Sequence, residues 1–329
     1  MKLMFLLVSV ISSVVLADNP DLLLYNALRH GAEVKIILRV VDQDGIPVAN
    51  ANISGGFQTG GNINDNIPIK GVTDTNGEYV VLGRCTGMVR CGISKEGYYE
   101  SDLFVKFPER GVEQPIKNGK WIPYGIVKNV ILKKILSPNE CRIFPSSLRG
   151  CRIPEFGKWI GFDFEKCDWV SPCGEGVCVD VLLKFECMRR AHYDYKYVMN
   201  VSFTNNPYAG AYILKADKTS QLNTVYNADS NATYQAEFVF VKEQRPGESR
   251  KWSFLDDNSY MVFRTRTRMD KKGNLTGAHY GKIMGRWVSG RECMVLSDGC
   301  FNLEENNVSI EASACLRDVL HQKQSLTSP

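Results

Sequence analysis

Histidine is scarce in this chain: four in 329 residues, at His30, His192, His279 and His321, each isolated from the others. A histidine-based metal centre needs three converging ligands, so this spacing argues against one. The eleven cysteines include no C-x-x-C pair, which removes the main support for zinc-ribbon and thioredoxin readings. No G-x-S-x-G elbow and no phosphate-cradling glycine loop occurs. Charge of one sign is also in short supply. The formal net charge is +4 and the basic residues are scattered, which predicts no nucleic-acid partner. Beyond the N-terminus no apolar run approaches the length of a membrane span. No cofactor is expected from these patterns.

The N-terminus does carry an apolar run. Lys2 is followed by an almost unbroken stretch from Leu3 to Leu16, closed by Val15-x-Ala17. A positive start, a short apolar core and small residues at the end predict a signal peptide over residues 1–17 and a mature chain beginning at Asp18. The expected location is therefore secreted or periplasmic. Disulfides are chemically possible there. Cys85 with Cys91 and Cys293 with Cys300 are the expected pairs, because short turn-compatible segments separate the members of each. Ser297-Asp298-Gly299 supplies the turn for the second pair.

Helical signals are confined to Pro20–His30 and Ser309–His321; the rest reads as strands and turns. Val34–Val41 is apolar and β-branched, and Asp42-Gln43-Asp44-Gly45 ends it with turn chemistry. Val72–Tyr79 centres on Asn76-Gly77, a hairpin signal because both residues tolerate positive φ. Further strands are predicted at 88–94, 127–136, 159–164, 177–185, 197–203, 234–241, 260–268 and 281–288, and a boundary at Ser137-Pro138-Asn139. Short strands without intervening helices predict an all-β protein of two β-sandwich-like domains, the second sandwich or jelly-roll-like. The domains are placed at 33–136 and 140–329.

The series Val40-Val41-Asp42-Gln43-Asp44-Gly45-Ile46-Pro47-Val48-Ala49-Asn50-Ala51, then Thr73–Tyr79, then Ser94-Lys95-Glu96-Gly97-Tyr98-Tyr99 resembles the carboxypeptidase regulatory-like domain, a small transthyretin-like β-sandwich. The likeness covers residues 33–135. It implies an Ig-like accessory fold without catalysis; the long loop 55–70 and the Cys85/Cys91 pair depart from the family pattern. Residues 154–185 resemble a segment of uncharacterised exported bacterial proteins. The five N-x-S/T sequons, at Asn52, Asn200, Asn231, Asn274 and Asn307, are therefore expected to be unmodified.

Several residues invite chemistry. His30-x-x-Glu33 has a zinc-ligand spacing, and Asp42-x-Asp44-Gly45 and Asp74-x-Asn76-Gly77 have partial calcium-loop spacing; a turn accounts for both of the latter. Asp163, Glu165 and Asp168 stand together in a Trp-rich stretch, as glycosidase carboxylates do. Arg264, Arg266 and Arg268 alternate and are expected on one solvated strand face. Trp121 and Trp169, flanked by turn residues, are the candidate stacking platforms for a ligand. Three roles stay open at this level: a non-catalytic protein binding a glycan or protein partner at the envelope or outside the cell, a secreted hydrolase with its site in 140–329, and a structural module of a surface assembly.

Overall fold

The structure is a computed structural model. It describes residues 19–60, 66–136, 138, 141–144, 151–217, 219–253, 255–256, 258–285, 288–289, 293–295 and 299–311. The expected signal peptide, Cys315 and Trp287 lie outside these residues, and Cys293 is described only as a strand position. Among the described residues the chain is all-β with one short helix, and it divides into two compact units.

The first unit, residues 1–135 with 219–221, opens on the helix α1 (Pro20–His30). Asn19 caps it by accepting from the backbone N–H groups of Asp21 and Leu22, Pro20 occupies the first turn, and Gly31 ends it at φ 77°. These are the ordinary start and stop signals of a helix. Nine strands follow: β1 (Ala32–Asp42), β2 (Asn52–Gln58), β3 (Asn66–Val72), β4 (Glu78–Cys85), β5 (Met88–Ser94), β6 (Ser101–Lys106), β7 (Ile116–Lys117), β8 (Lys120–Trp121) and β9 (Ile126–Leu132). One sheet has the order β3-β2-β5-β6; the other runs β4-β1-β8-β7, with β9 parallel on β1. Alternation decides which way β1 faces. Val34, Ile36, Leu38 and Val40 are buried, while the residues between them are partly or fully exposed. They meet Ile53, Phe57, Val89, Cys91, Ile93 and Val105 from the facing sheet in one core.

Two turns fall where the sequence places them but join different things than expected. Gly45 and Gly77 both have φ in the left-handed region. Asp42 Oδ1 accepts the N–H groups of Asp44 and Ile46, and Asp74 Oδ1 those of Asn76 and Glu78. The Asn76-Gly77 turn, however, leads from β3 to β4, which lie in different sheets. It is a crossover and not a hairpin. The same holds for Cys85 and Cys91: the chain turns at Thr86-Gly87 from one sheet into the other, and both thiols are free and buried.

The second unit holds residues 136–218 and 222–329. Its strands are β10 (Cys141–Ile143), β11 (Cys151–Arg152), β12 (Trp159–Asp163), β13 (Asp168–Trp169), β14 (Val181–Ala191), β15 (Asp194–Ser202), β16 (Gly210–Lys215), β17 (Glu237–Gln244), β18 (Lys251–Trp252), β19 (Ser259–Met269), β20 (Leu275–Met284), β21 (Val288–Ser289), β22 (Cys293–Val295) and β23 (Cys300–Asn302). Sheets of order β10-β23-β20-β19-β16 and β13-β12-β14-β15-β17-β18 share one core, with Phe162, Leu183, Phe185 and Met199 facing Met261, Phe263, Ile283 and Phe301. A second cluster, including Tyr260, Val262, Tyr280 and Ile310, covers the other face of β19 and β20. Burial on both faces explains why β19 is unbrokenly buried from Ser259 to Thr265. β22 pairs with β11 and β21, and β23 with β10 and β20. The hairpin expected between Cys293 and Cys300 therefore does not form. Ser309 makes an isolated bridge to Asn227, and the rest of the helix expected at 309–321 lies mostly outside the described residues.

Candidate functional site

The outer face of the sheet β3-β2-β5-β6 is hollow. Period-two alternation sends Ile53 and Phe57 of β2 and Val89, Cys91 and Ile93 of β5 into the core, so Ser54, Gly56, Gln58, Met88, Arg90 and Gly92 face outward. Register then builds rows across the face. Ser54 stands opposite Gly92, which stands opposite Asp102; Gly56 stands opposite Arg90, which stands opposite Phe104. Where glycine occupies a row the sheet has no side chain. The result is a groove of about 670 Å³ floored by Gly55, Gly56 and Gly92, with the Asn66 side chain closing in over Gly56. Its walls carry Arg90 and Asp102, Phe104, and the amides of Gln58 and Asn66, with Glu100 at the rim.

The electrostatics are balanced and accessible. Arg90 Nη2 stands 3.5 Å from Asp102 Oδ1, and both side chains are more than half exposed. That contact is long and loose, so both groups retain hydrogen-bonding capacity toward a third body. Phe104 is 49% exposed, with Lys106 Nζ 5.2 Å from its ring centroid. The free edge of β6 is covered by residues 219–221: Asp102 N–H donates to the Thr219 carbonyl at 2.7 Å, and Ser101 bridges to Ser220. Among the described residues no histidine or cysteine lines the groove.

The tryptophans singled out from the sequence lie elsewhere. Trp121 is fully buried, stacked on Phe107 at 5.5 Å, and its Nε1 donates to the Cys85 carbonyl at 2.9 Å. Trp169 is 3% exposed, edge-on to Phe162 and Phe185, and its Nε1 donates to the Arg152 carbonyl at 2.7 Å. Neither is available as a stacking platform: flanking turns gave a wrong signal, because each indole fills a core and its one donor finds a backbone oxygen. Phe104 was missed. Its exposure follows from β6 facing outward at even positions, which requires knowing the sheet.

The carboxylates of the Trp-rich stretch also have other duties. Asp163 Oδ1 and Glu165 Oε2 pair with Arg266 Nη2 and Nη1 at 3.1 and 2.5 Å, and Asp180 Oδ1 accepts from Arg266 Nε at 2.8 Å. Burial pushes Asp163 up, but backbone N–H groups of Cys178, Val177 and Lys166 and the Arg266 guanidinium outweigh it and hold the carboxyl below its usual range. Burial wins at Asp180, which is raised in spite of Arg266. Asp168 accepts the N–H groups of Trp169 and Glu175, bracing its own loop. Asp163 and Asp180 have both oxygens engaged, and with Glu165 Oε2 they form a structural bracket around Arg266.

The three arginines do not share a face. A bulge between Thr265 and Arg268 puts Arg266 at φ 51° and reverses its side. Arg264 lies over the Tyr234 ring at 4.0 Å, Arg266 over Phe301 at 4.7 Å, and Arg268 reaches Glu305 at 2.5 Å. Glu33 accepts from the Tyr124 hydroxyl, and His30 is on the helix side of Gly31, so the H-x-x-E spacing brings no site together.

No family model matches the chain, so the likeness of residues 33–135 to the regulatory-like domain rests on its motifs. No curated protein matches either. Solved structures share remote likeness. A 3-chlorocatechol 1,2-dioxygenase from Rhodococcus opacus 1CP is 16% identical over 32% of this chain and 62% of its own, with a TM-score of 0.27. The chain thus spans less than two thirds of that dioxygenase's length. A DUF3823 family protein from Parabacteroides merdae ATCC 43184 is 11% identical over 85% of this chain and 99% of its own, TM-score 0.21. The shaft pilin SpaA from Lactobacillus rhamnosus GG is 10% identical over 81% and 98%, TM-score 0.24. Likeness at this level carries no argument about activity.

Proposed function

We propose that this is an exported, non-catalytic β-sandwich protein that binds a glycan in the groove on the outer face of β2, β5 and β6. The observation that carries the reading is the glycine floor. Gly56 and Gly92 remove side chains from adjacent rows of one sheet face, and polar side chains able to donate and accept rise around the gap. A sugar ring offers a flat apolar face and a rim of hydroxyls. Phe104 meets the first, and Arg90, Asp102, Gln58 and Asn66 meet the second. The near-neutral lining suits an uncharged polyhydroxylated ligand better than a phosphate or a nucleic acid. The apolar run at residues 3–16 supports export, with residues 1–17 removed.

The test is a glycan array probed with the full chain and with Gly92→Val. A Cβ at Gly92 meets nothing closer than 3.6 Å, so valine fills the groove while suiting the strand. Wild type is expected to retain a set of glycans that Gly92→Val binds at least about tenfold more weakly, a loss on the order of 1.4 kcal/mol. A wild-type chain that retains no glycan, or a valine variant that binds as well, overturns the reading.

A further inference from the structure

β23 lies between β10 and β20, and its register collects three chemical side chains on one face. Cys141 stands opposite Asn302 and Ile143 opposite Cys300, so Cys141 and Cys300 share a face and sit diagonally across one ladder. Lys282 stands directly opposite Cys300 on the other side. Both cysteines are free thiols, Cys300 buried and Cys141 partly exposed, and they are hydrogen-bonded to each other. Lys282 is itself buried, 3% exposed, and its Nζ donates to Thr224 Oγ1 at 2.8 Å.

We infer that Cys141 and Cys300 form a cross-strand disulfide in an oxidising compartment, with the buried Lys282 as a positioning residue for the resolving thiol. The chemistry follows from the exposures. Cys141, as thiolate, reaches a small-molecule disulfide such as oxidised glutathione, attacks one sulfur and releases one glutathione thiol. Cys300 then attacks Cys141 Sγ in the mixed disulfide and expels the second glutathione. The two cysteine protons end on the two glutathione thiols, and two electrons pass from the protein to the oxidant. Exposure makes Cys141 the thiol that is reached and leaves buried Cys300 to resolve. In the mixed disulfide Cys141 no longer has an S–H, and Lys282, directly opposite on the neighbouring strand, is the cation left beside Cys300. The pairing differs from Cys293–Cys300 because β22 and β23 belong to different sheets.

The experiment treats the reduced full chain with oxidised glutathione, alkylates without reductant and maps the peptides by mass spectrometry. A dominant Cys141–Cys300 peptide is expected. Alkylation of both thiols, or Cys300 joined to Cys293, overturns the inference. For Lys282, the rate at which the mixed disulfide closes is compared at one pH in the native chain, Lys282→Met and Lys282→Arg; recovery of the rate in Lys282→Arg is expected, and equal rates in all three remove Lys282 from the step. Lys282→Met, where it folds, is expected to slow resolution about tenfold.

Discussion

Asp42 closes a turn and holds a distant strand end with the same carboxylate. Oδ1 takes two backbone N–H groups, and Oδ2 accepts from Lys134 Nζ at 2.6 Å although Asp42 is 3% exposed. The Lys134 hydrogen bond, aided by the backbone N–H groups of Ile46 and Asp44, holds the carboxyl below the usual carboxylate range against the cost of burial. A depressed folded pKa contributes stability that is present above the unfolded value and lost as pH falls through the folded one. Urea midpoints of the native chain should therefore fall more steeply below about pH 4 than those of Asp42→Asn. Parallel curves would show that the pair contributes nothing. Glycine at two turns separates conformation from space. Both Gly45 and Gly77 have positive φ, but a Cβ at Gly77 meets the Val40 carbonyl at 2.3 Å, whereas at Gly45 nothing lies within 4 Å. Gly45→Ala is expected to cost about 1–2 kcal/mol of left-handed strain. Gly77→Ala should cost clearly more by denaturant unfolding, and equal losses would refute the close approach.

At the scale of elements, the bulge in β19 decides what its arginines do. Without it, residues 264, 266 and 268 would alternate regularly; with it, Arg266 turns beneath the sheet and brackets the loop 163–180 through three carboxylates. Removing a buried cation leaves Asp163 and Asp180 buried and uncompensated, which costs about 3–5 kcal/mol. Arg266→Ala should lower stability by that order in urea unfolding. Arg268→Ala, whose side chain is 67% exposed, should stay within about 1 kcal/mol. A similar loss from both would mean that the bracket is no stronger than a surface pair.

At the scale of the whole molecule, each unit carries its own core. Every residue of the first unit's core falls between Ala27 and Leu132, and the outlying segment 219–221 adds hydrogen bonds along β6 without joining that core. A fragment of residues 19–135 should therefore fold by itself, with a β-rich circular-dichroism spectrum and a cooperative thermal transition. A helical or non-cooperative fragment would show that residues 219–221 are needed for folding and not only for covering an edge.

What was legible in the sequence was local. The apolar run Val34–Val41, the helical segment Pro20–His30, and the turns at Asp44-Gly45 and Asn76-Gly77 depend on side-chain period and φ preference over a few residues, and the all-β class follows from the recurrence of short strands. Tertiary structure alone decided which strands share a sheet. That choice turned the expected hairpins at 85–91 and 293–300 into links between sheets, buried Trp121 and Trp169, and gave Cys300 a neighbour about 160 positions earlier in the chain. It also made the groove, because Gly56 and Gly92 are unremarkable apart and leave a hollow only when β2 and β5 pair in register. Strand pairing is set by long-range burial against competing partners, and no window of neighbouring residues contains that information.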